Sequence, residues 1–276
     1  MSTQDNSTVN SEEMDFLRAQ GIDPSRKDQI QILRPDWDIP GVDAGFTLRT
    51  GGVSKPPYDS LNLAMHVGDD PDDVRENRRR LVEHAGLPEE PRWLKQVHGN
   101  RVVHASEVER DVTEADAVWT DQPGQVCAVM VADCVPILLA AKDGSCVAAI
   151  HAGWRGLAAG VIEETVEAMP VPGEDLVAAI GPCISAKHYE VGEEVVESFR
   201  VKKILPMFSG LEKKRKGRVH LDLFGTAIQK LGLLQVMAAN TTPCSYSGPK
   251  SWYSCRRGAK SGRFIGKIEL LPVLEK

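Results

Sequence analysis

Short apolar runs, separated by turn residues and charged stretches, dominate the hydrophobic pattern of the chain. They are too short for buried helices and rich in β-branched or small side chains, which is typical of buried strands. Strands are therefore predicted at 44–49, 92–97, 101–105, 116–120, 126–132, 146–150, 176–180 and 264–271. The turn His98-Gly99-Asn100 is predicted to join the second and third of these as a hairpin.

Apolar residues at helical spacing lie between the predicted strands. A helix is predicted to begin after Asp70-Pro71, and another after Asp222, whose carboxylate is a favoured N-cap. Two more helices are predicted at 157–169 and 189–200. No internal repeat or low-complexity linker divides these elements, so we expect one domain.

The N-terminal stretch differs from the rest of the chain. Residues 1–28 are polar and predict a flexible tail with one weak helical turn, whereas residues 29–276 are assigned to the folded domain. The one basic block lies within 202–218 and is predicted to be an exposed loop.

Composition and charge narrow the range of partners. The chain has 276 residues, 42% of them hydrophobic, which is ample for a packed core. A net charge of −6 argues against nucleic-acid binding, since no half of the chain is basic enough to neutralise many phosphates. No apolar run approaches membrane-spanning length, and the N-terminus does not resemble a signal peptide.

The six cysteines lack the close spacing of a secreted disulfide framework, so we expect reduced thiols. These observations together predict a cytoplasmic protein that acts on small molecules, without a nucleic-acid or membrane partner. A monomer or a small homo-oligomer is expected.

Reactive residue types follow two of the predicted core strands. The run 126–132 leads to Asp133 and Cys134, and the run 146–150 leads to His151. A thiolate and an imidazole at adjacent strand ends could bind a soft metal or form a nucleophile–base pair. His98 also lies at a predicted strand end, and it differs from the other histidines, which are expected to be structural, only in the residues that it would contact there.

Other candidate contacts lie at further strand ends. Arg49 precedes a Gly-rich turn and is a candidate for phosphate or carboxylate binding, although a surface Arg beside a turn explains it equally well. Arg155 lies near the start of the helix after His151, where an anion would be favoured. Cys183 is either a site wall or a small buried residue. Asp133 either orients a ligand or takes a proton, or it is bonded to backbone.

Several familiar catalytic patterns are absent from the sequence. It contains no H-E-x-x-H helix, no Walker loop and no G-x-G-x-x-G after a strand. The zinc-deaminase signature, H-x-E with P-C-x-x-C, is also missing. Any deamination would need another geometry.

A set of longer motifs gives a sharper indication than any single residue. They are Gly-Gly-Val-Ser at 51–54, Ser-Leu-Asn-Leu at 60–63, His-Val-Gly-Asp at 66–69, Gln-Val-His-Gly at 96–99, Ala-Asp-Cys-Val-Pro at 132–136, His-Ala-Gly-Trp-Arg-Gly at 151–156 and Gly-Pro-Cys-Ile at 181–184. With these motifs in this order, about residues 30–273 resemble the laccase-domain family of the YfiH type. Its members are called multicopper polyphenol oxidase, purine nucleoside phosphorylase or peptidoglycan editing factor.

The resemblance implies a site and a fold. It implies that His98, Cys134 and His151 bind the metal, and that substrate contacts come from the Arg49 turn, Arg155 and the 181–183 loop. It also implies an α+β fold, a single domain of packed mixed β-sheets flanked by helices, related to cysteine-hydrolase folds of the toxin-deamidase kind. The chain departs from the family pattern at Cys244-Ser245-Tyr246 and Ser254-Cys255-Arg256, which leaves the three ligands intact but affects the pocket wall.

The family names imply different activities, and the residues help to choose among them. A laccase-type oxidase needs about ten histidines for its four coppers, whereas this chain has seven and no His-x-His. Two imidazoles and a thiolate could still bind Cu²⁺. Three protein ligands with an open fourth position match a catalytic Zn²⁺ site better.

The resemblance then implies phosphorolysis of adenosine, inosine, guanosine and methylthioadenosine, together with adenosine deamination. Purine nucleosides and phosphate are the expected small-molecule partners. The alternative is a metal-free cysteine hydrolase that cleaves an amide of a peptidoglycan precursor, with Cys134 as nucleophile and His151 as base. A structural zinc protein is disfavoured, because such sites usually have four protein ligands.

Overall fold

The strands and helices were obtained from a computed structural model, which describes residues 14–23, 25–201, 207–208, 218–239, 244–247, 251–258 and 260–272. The strands are β1 (Ile32–Leu33), β2 (Val42–Thr47), β3 (Val102–His104), β4 (Ala117–Thr120), β5 (Val126–Val131), β6 (Val135–Ala141), β7 (Val147–Ala152), β8 (Leu176–Ile180), β9 (Glu190–Gly192), β10 (Met207–Phe208), β11 (Arg218–Asp222), β12 (Met237–Ala239) and β13 (Phe264–Leu270). The helices are α1 (14–19), α2 (Pro71–Ala85), α3 (Trp154–Ala159), α4 (Val161–Ala168), α5 (Glu193–Val201) and α6 (Leu223–Leu233).

Two large sheets form the centre of the domain. One has the order β1-β2-β13-β5 and is antiparallel, and the other has the order β12-β8-β6-β7-β4-β3. The second sheet is mixed, because β12 runs parallel to β8 and β3 runs parallel to β4. A third, antiparallel sheet has the order β10-β11-β9.

The alternation of side chains along each strand builds the layers. On β5, Val129 and Val131 face the six-stranded sheet, whereas Ala128 and Met130 pack with Leu81 of α2. On β6, Leu138 joins the core between the two sheets, and Ile137 and Leu139 pack against α3, α4 and α6. The domain is therefore a stack of helix, sheet, sheet and helices, and the predicted single domain of packed mixed sheets flanked by helices is confirmed.

Several predicted elements are confirmed with small shifts of their ends. The apolar runs at 126–132, 146–150, 176–180 and 264–271 are β5, β7, β8 and β13. The helix after Asp70-Pro71 is α2, and Asp222 caps α6 by accepting a hydrogen bond from Gly225 N at 2.9 Å. These elements carried the strongest local signals, namely continuous apolar runs and helix caps.

The predicted hairpin at 92–105 is wrong. Residues 92–97 form only two isolated bridges, from Arg92 to Cys127 and from Lys95 to Glu114, and β3 pairs in parallel with β4. The backbone amides of His98 and Gly99 in the expected turn donate hydrogen bonds to the Asp116 carboxylate instead. The turn residues at 98–100 therefore belong to a loop, and the segments before and after this loop pair with different parts of the fold.

Two predicted helices begin or break differently from expectation. The helix predicted at 157–169 begins earlier, at Trp154, and is divided into α3 and α4 by Gly160, whose φ is 95°. The helix predicted at 189–200 begins only at Glu193, because 190–192 pair with β11 as strand β9. In both cases a backbone feature overrides apolar spacing.

The N-terminal stretch contributes to the core in the part that is described. Leu17 of α1 and Ile22 are buried in the cluster between the sheets. The boundary between residues 28 and 29 stays a prediction, and residues 1–13 lie outside the described part. Most of the predicted loop at 202–218 also lies outside it, apart from β10 and Arg218. None of the helices in the described ranges has the length and apolar character needed to cross a bilayer.

Candidate metal centre and its surroundings

Three side chains that are far apart in sequence converge at one end of the six-stranded sheet. The potential ligand atoms of His98, Cys134 and His151 all lie within 4.8 Å of one another. The two imidazole rings meet edge to face with centroids 4.7 Å apart. His151 is buried, Cys134 is half-buried and His98 is exposed. The cluster is therefore open to solvent on the side of His98.

Strand register places His151 and Cys134. β6 and β7 are antiparallel neighbours, and Pro136 of β6 lies opposite His151 of β7. Cys134 immediately precedes β6, so the thiol comes to the same end of the sheet as the imidazole. The two neighbouring strands thus produce the thiol–imidazole pair that the sequence predicted at adjacent strand ends.

His98 is placed by a loop and held by a carboxylate. Its backbone is left-handed, with φ 61°, which is uncommon for a residue other than glycine. The Asp116 carboxylate accepts hydrogen bonds from the amides of Val97, His98 and Gly99 at 3.2, 2.9 and 2.6 Å. Gln96 adds a second anchor, because its side chain bonds both the N–H and the C=O of Met130 on β5.

Asp116 also contacts His151, and no sequence pattern indicated it. The residue precedes β4, and the pairing of Ala117 with Ile150 brings it opposite His151. Asp116 Oδ1 lies 2.8 Å from His151 Nδ1, and the Asp116 carbonyl accepts from His151 N at 2.7 Å. The side chain of Asp116 is completely buried. Only the strand register reveals this contact between residues 35 positions apart.

The cluster favours a charged thiolate and a charged imidazole when no ion is bound. Burial raises the pKa of the Cys134 thiol, but the charge of His151 and hydrogen bonds from both histidines outweigh it and lower that pKa to about 6. Burial lowers the pKa of His151, yet the Cys134 thiolate and the bond to Asp116 outweigh it and raise that pKa to about 9. Cys134 is therefore available as an anionic ligand or a nucleophile at neutral pH.

The donor set suits a soft or borderline metal ion. Tetrahedral zinc, with bonds of about 2.0–2.3 Å, holds its ligand atoms about 3.5 Å apart, and the three side chains are already within 4.8 Å. Small side-chain rotations would bring them onto one ion. Within the described ranges this is the one group of three or more His, Cys, Asp or Glu side chains that could hold a metal.

Glycine at position 153 leaves room for the cluster. A Cβ there would lie 3.0 Å from Cys134 Sγ and 3.2 Å from His98 Cδ2, both tighter than ordinary contacts. The next glycine of the motif, Gly156, allows α3 to approach the loop that carries His98. A Cβ at this position would lie 2.9 Å from the carbonyl oxygen of Gly99. The space around the thiol thus depends on Gly153, and the close approach of α3 to the His98 loop depends on Gly156.

Asp133 and Cys183 form the wall beside Cys134. Asp133 accepts hydrogen bonds from Ser245 Oγ at 2.8 Å and from Arg256 N at 3.1 Å, and its carbonyl accepts from Ile184 N at 2.9 Å. Its φ is 84°, again in the left-handed region. Cys183 is buried, and burial raises the pKa of its thiol far above the usual value. Both departures from the family pattern, at 244–246 and 254–256, contribute bonds to this wall.

Tyr189 and Arg256 are further wall residues that sequence reasoning did not single out. The Arg256 guanidinium lies 4.9 Å from the centroid of the Tyr189 ring. Burial raises the pKa of Tyr189 to about 12, and the negative charge of Cys134 adds to this effect. Tyr189 is therefore within electrostatic reach of the thiolate as a neutral phenol.

The two predicted anion-binding arginines lie in different environments. Arg155 is exposed and lies 4.3 Å from the Trp154 ring centroid, just after the His151 strand. Arg49 is largely buried, with its guanidinium on Asp59 at 3.0 Å and 4.5 Å from the Tyr253 ring centroid. Among the described residues, Asp59 and Tyr253 are the contacts that fix the position of the Arg49 side chain. The structure thus brings His98, Cys134, His151, Asp133 and Cys183 into one neighbourhood, whereas the described contacts of the Arg49 side chain are with Asp59 and Tyr253.

The fold and this cluster define a single-domain protein of packed mixed sheets with a candidate mononuclear metal centre at one sheet end. Residues 43–271 match the sequence profile of the family described as multi-copper polyphenol oxidoreductase laccase. The chain belongs to this laccase-like YfiH family, as the sequence motifs indicated.

Relatives support the family across most of the chain. A protein of Pseudomonas aeruginosa named purine nucleoside phosphorylase is 44% identical over 240 residues, covering 86% of this chain and 98% of that protein. YfiH of Escherichia coli K12, also named purine nucleoside phosphorylase, is 41% identical over 245 residues and covers 87% and 99%.

Solved structures show the same architecture. Protein NMB0706 of Neisseria meningitidis superposes with a TM-score of 0.77 at 38% identity, covering 87% of this chain and 99% of that chain. YlmD of Geobacillus stearothermophilus superposes with a TM-score of 0.78 at 31% identity, covering 87% and 96%. The arrangement of sheets described above is therefore the arrangement of the family.

Proposed function

We propose that this chain is a zinc-dependent purine nucleoside phosphorylase, with a catalytic domain at 29–276. Its proposed reactions are the phosphorolysis of adenosine, inosine, guanosine and methylthioadenosine, and the deamination of adenosine. The observation that carries the proposal is the His98–Cys134–His151 cluster, in a chain 44% identical to a protein named purine nucleoside phosphorylase. We place the enzyme in the cytoplasm, because its six cysteines are free thiols.

Two imidazoles and a thiolate favour zinc for this site, and Cu²⁺ is the alternative ion. When bound, the ion supplies Lewis-acid polarisation of a water or a substrate oxygen. The chain supplies the placement: Gln96 anchors the loop of His98, and the pairing of β6 with β7 brings Cys134 and His151 to the same end of the sheet. His98 is exposed, so we propose that a nucleoside approaches the cluster from that side.

Phosphorolysis also needs a place for an anion. In this reaction phosphate attacks the ribose C1′ and the purine leaves, so the phosphate charges must be held near the sugar. We propose that Arg155 and Arg49 hold them, with Asp133 and Cys183 lining the nucleoside. Arg155 is exposed and positioned by Trp154, whereas Asp59 occupies two nitrogens of Arg49. Arg155 is accordingly the stronger candidate of the two.

Metal analysis and product analysis of the same sample test this proposal. Freshly purified protein should contain about one zinc per chain by elemental analysis, as expected for one such site. Incubation of inosine should release hypoxanthine only when phosphate is present, and adenosine should yield inosine without phosphate. Zinc-containing protein that leaves all four nucleosides unchanged, with and without phosphate, would contradict the proposed activity.

A second candidate function has a specific observation in its favour. Asp116, His151 and Cys134 lie in the order of an orienting carboxylate, a general base and a nucleophile, which is the arrangement of cysteine hydrolases. We also propose the relation to cysteine-hydrolase folds that the family resemblance implies. In this case metal-free protein should cleave an amide of a peptidoglycan precursor, detected by mass spectrometry, and alanine at Cys134 should abolish the cleavage.

A further inference from the structure

The carboxylate of Asp116 is surrounded by hydrogen-bond donors. Oδ1 accepts from His98 N at 2.9 Å and lies 2.8 Å from His151 Nδ1, and Oδ2 accepts from Val97 N at 3.2 Å and Gly99 N at 2.6 Å. Three of the four groups are backbone N–H groups, which can only donate. The three successive amides form a concave anion site of the kind that binds carboxylates and phosphates.

This geometry determines which nitrogen of His151 carries its hydrogen. An ionised carboxylate is an acceptor only, so His151 Nδ1 must donate to it, and Nε2 is left without that hydrogen in the neutral ring. Metal-binding histidines are commonly held in this way by a carboxylate on the other nitrogen. Asp116 also receives the N–H of His98, whose left-handed backbone needs such support.

We infer that Asp116 is the positioning residue of the metal centre. One buried carboxylate orients the His151 ring so that Nε2 binds the ion, and fixes the loop conformation that presents His98. The inference rests on the metal site proposed above and adds a residue to it. Asp116 does not touch the ion or the substrate, and it acts through the two histidines.

An amide of the same shape cannot replace this carboxylate. In Asp116→Asn, an NH₂ group in the Oδ2 position would face the N–H groups of Val97 and Gly99. In the Oδ1 position it would face the N–H of His98 and would force His151 to accept at Nδ1, which moves the ring hydrogen to Nε2. The first orientation leaves two backbone N–H groups facing a donor, and the second leaves one and reverses the His151 tautomer, so either one weakens the hold on at least one ligand.

The zinc dissociation constant tests the inference directly. Competition with a chromophoric chelator should show that Asp116→Asn weakens zinc binding by about 10–100-fold, as is typical for such supporting residues. The matched control is Glu114→Gln, which removes a nearby exposed charge whose ion pair, among the described residues, is with exposed Lys95 at 2.8 Å. It should bind zinc like the unmodified protein, and circular dichroism should confirm that both variants are folded.

The outcomes separate the inference from the proposed function. Unmodified protein that binds no zinc would overturn both the metal site and the inference. Zinc binding that Asp116→Asn leaves unchanged would overturn the inference alone, and the proposed function would stand.

A second measurement needs no change at Asp116 and covers the case in which that variant does not fold. In zinc-loaded protein labelled with ¹⁵N-histidine, long-range ¹H–¹⁵N correlations should show His151 protonated at Nδ1 and free of hydrogen at Nε2. The His151 signals are assigned by their absence from His151→Gln. A hydrogen on Nε2, with Nδ1 facing the ion, would overturn the inference.

Discussion

At the scale of single residues, the space around the Cys134 thiol depends on position 153. The backbone there has φ −74° and ψ 168°, which any residue adopts, so a substitution tests space alone. In Gly153→Ala the new Cβ would press on Cys134 Sγ at 3.0 Å and on His98 Cδ2 at 3.2 Å. We expect zinc binding to weaken by about tenfold, measured by chelator competition.

A matched glycine substitution provides the control for this prediction. Gly232 lies in α6, and a Cβ there would meet nothing within 4 Å. Gly232→Ala should therefore bind zinc with unchanged affinity. If Gly153→Ala does the same, the tight contacts at the cluster can relax without moving the ligands, and the role given to this glycine is wrong.

The two arginines make a residue-scale prediction about the reaction. Arg155→Ala should lower the rate of phosphorolysis about tenfold or more, because a charge-assisted bond to phosphate contributes about 1.5–3 kcal/mol. Adenosine deamination, which uses no phosphate, should change far less. Arg49→Ala should show the same selectivity, with some loss of stability because its contacts to Asp59 and Tyr253 also disappear.

Exposed Arg75 offers the control, since its side chain is 63% exposed and pairs only with Asp72 among the described residues. Chromatography of the products from adenosine, with and without phosphate, measures both activities in one assay. Equal losses of both activities in Arg155→Ala would point to nucleoside binding instead of a phosphate contact.

At the scale of elements, Gly160 determines where the helix after His151 is divided. Its φ of 95° ends α3 and begins α4 in a conformation that side chains rarely adopt. We expect Gly160→Ala to lower the free energy of unfolding by about 1–2 kcal/mol, measured by urea denaturation. Gly232→Ala, in an ordinary helical conformation, should instead be neutral or stabilising by up to about 1 kcal/mol. Equal stability of the two variants would contradict the strain penalty expected for a side chain at position 160.

Strands and helices with strong local signals could be predicted from the sequence, whereas the strands and side chains that they contact could not. The apolar runs of β5 and β8 and the capped helices α2 and α6 were predictable because each signal lies within the element. The 92–105 hairpin was mispredicted, since its turn looks local but its amides bind Asp116. The three candidate ligands were indicated by strand ends and family motifs, but Asp116 required the register between β4 and β7. Long-range register is the information that a single sequence does not display.

At the scale of the whole molecule, the candidate metal centre joins three separate parts of the chain. His98 comes from the loop before β3, Cys134 from the connection of β5 to β6, and His151 from β7. An ion bound to the folded state alone would stabilise it by mass action, by about 2.7 kcal/mol when free zinc is 100 times its dissociation constant. Thermal unfolding of the zinc-loaded protein should therefore occur at higher temperature than that of chelated protein. Alanine at Cys134 should remove the difference, and an undiminished zinc effect in that variant would exclude the thiolate as a ligand.

The state of the Cys134 thiolate distinguishes the two proposed mechanisms in the intact protein. In the zinc enzyme the metal occupies the thiolate, so iodoacetamide should label Cys134 slowly, and nucleoside turnover should stop on chelation and return with added zinc. After chelation, labelling should be fast at pH 7.5, because His151 and His98 outweigh burial and lower the pKa of the thiol to about 6. That advantage should disappear as the pH falls below this value and the thiol becomes protonated. Peptide mass spectrometry measures labelling at Cys134, and exposed Cys255 serves as an internal reference in the same digest. Turnover that persists in protein verified as metal-free would overturn the zinc mechanism and favour Cys134 as a nucleophile with His151 as its base.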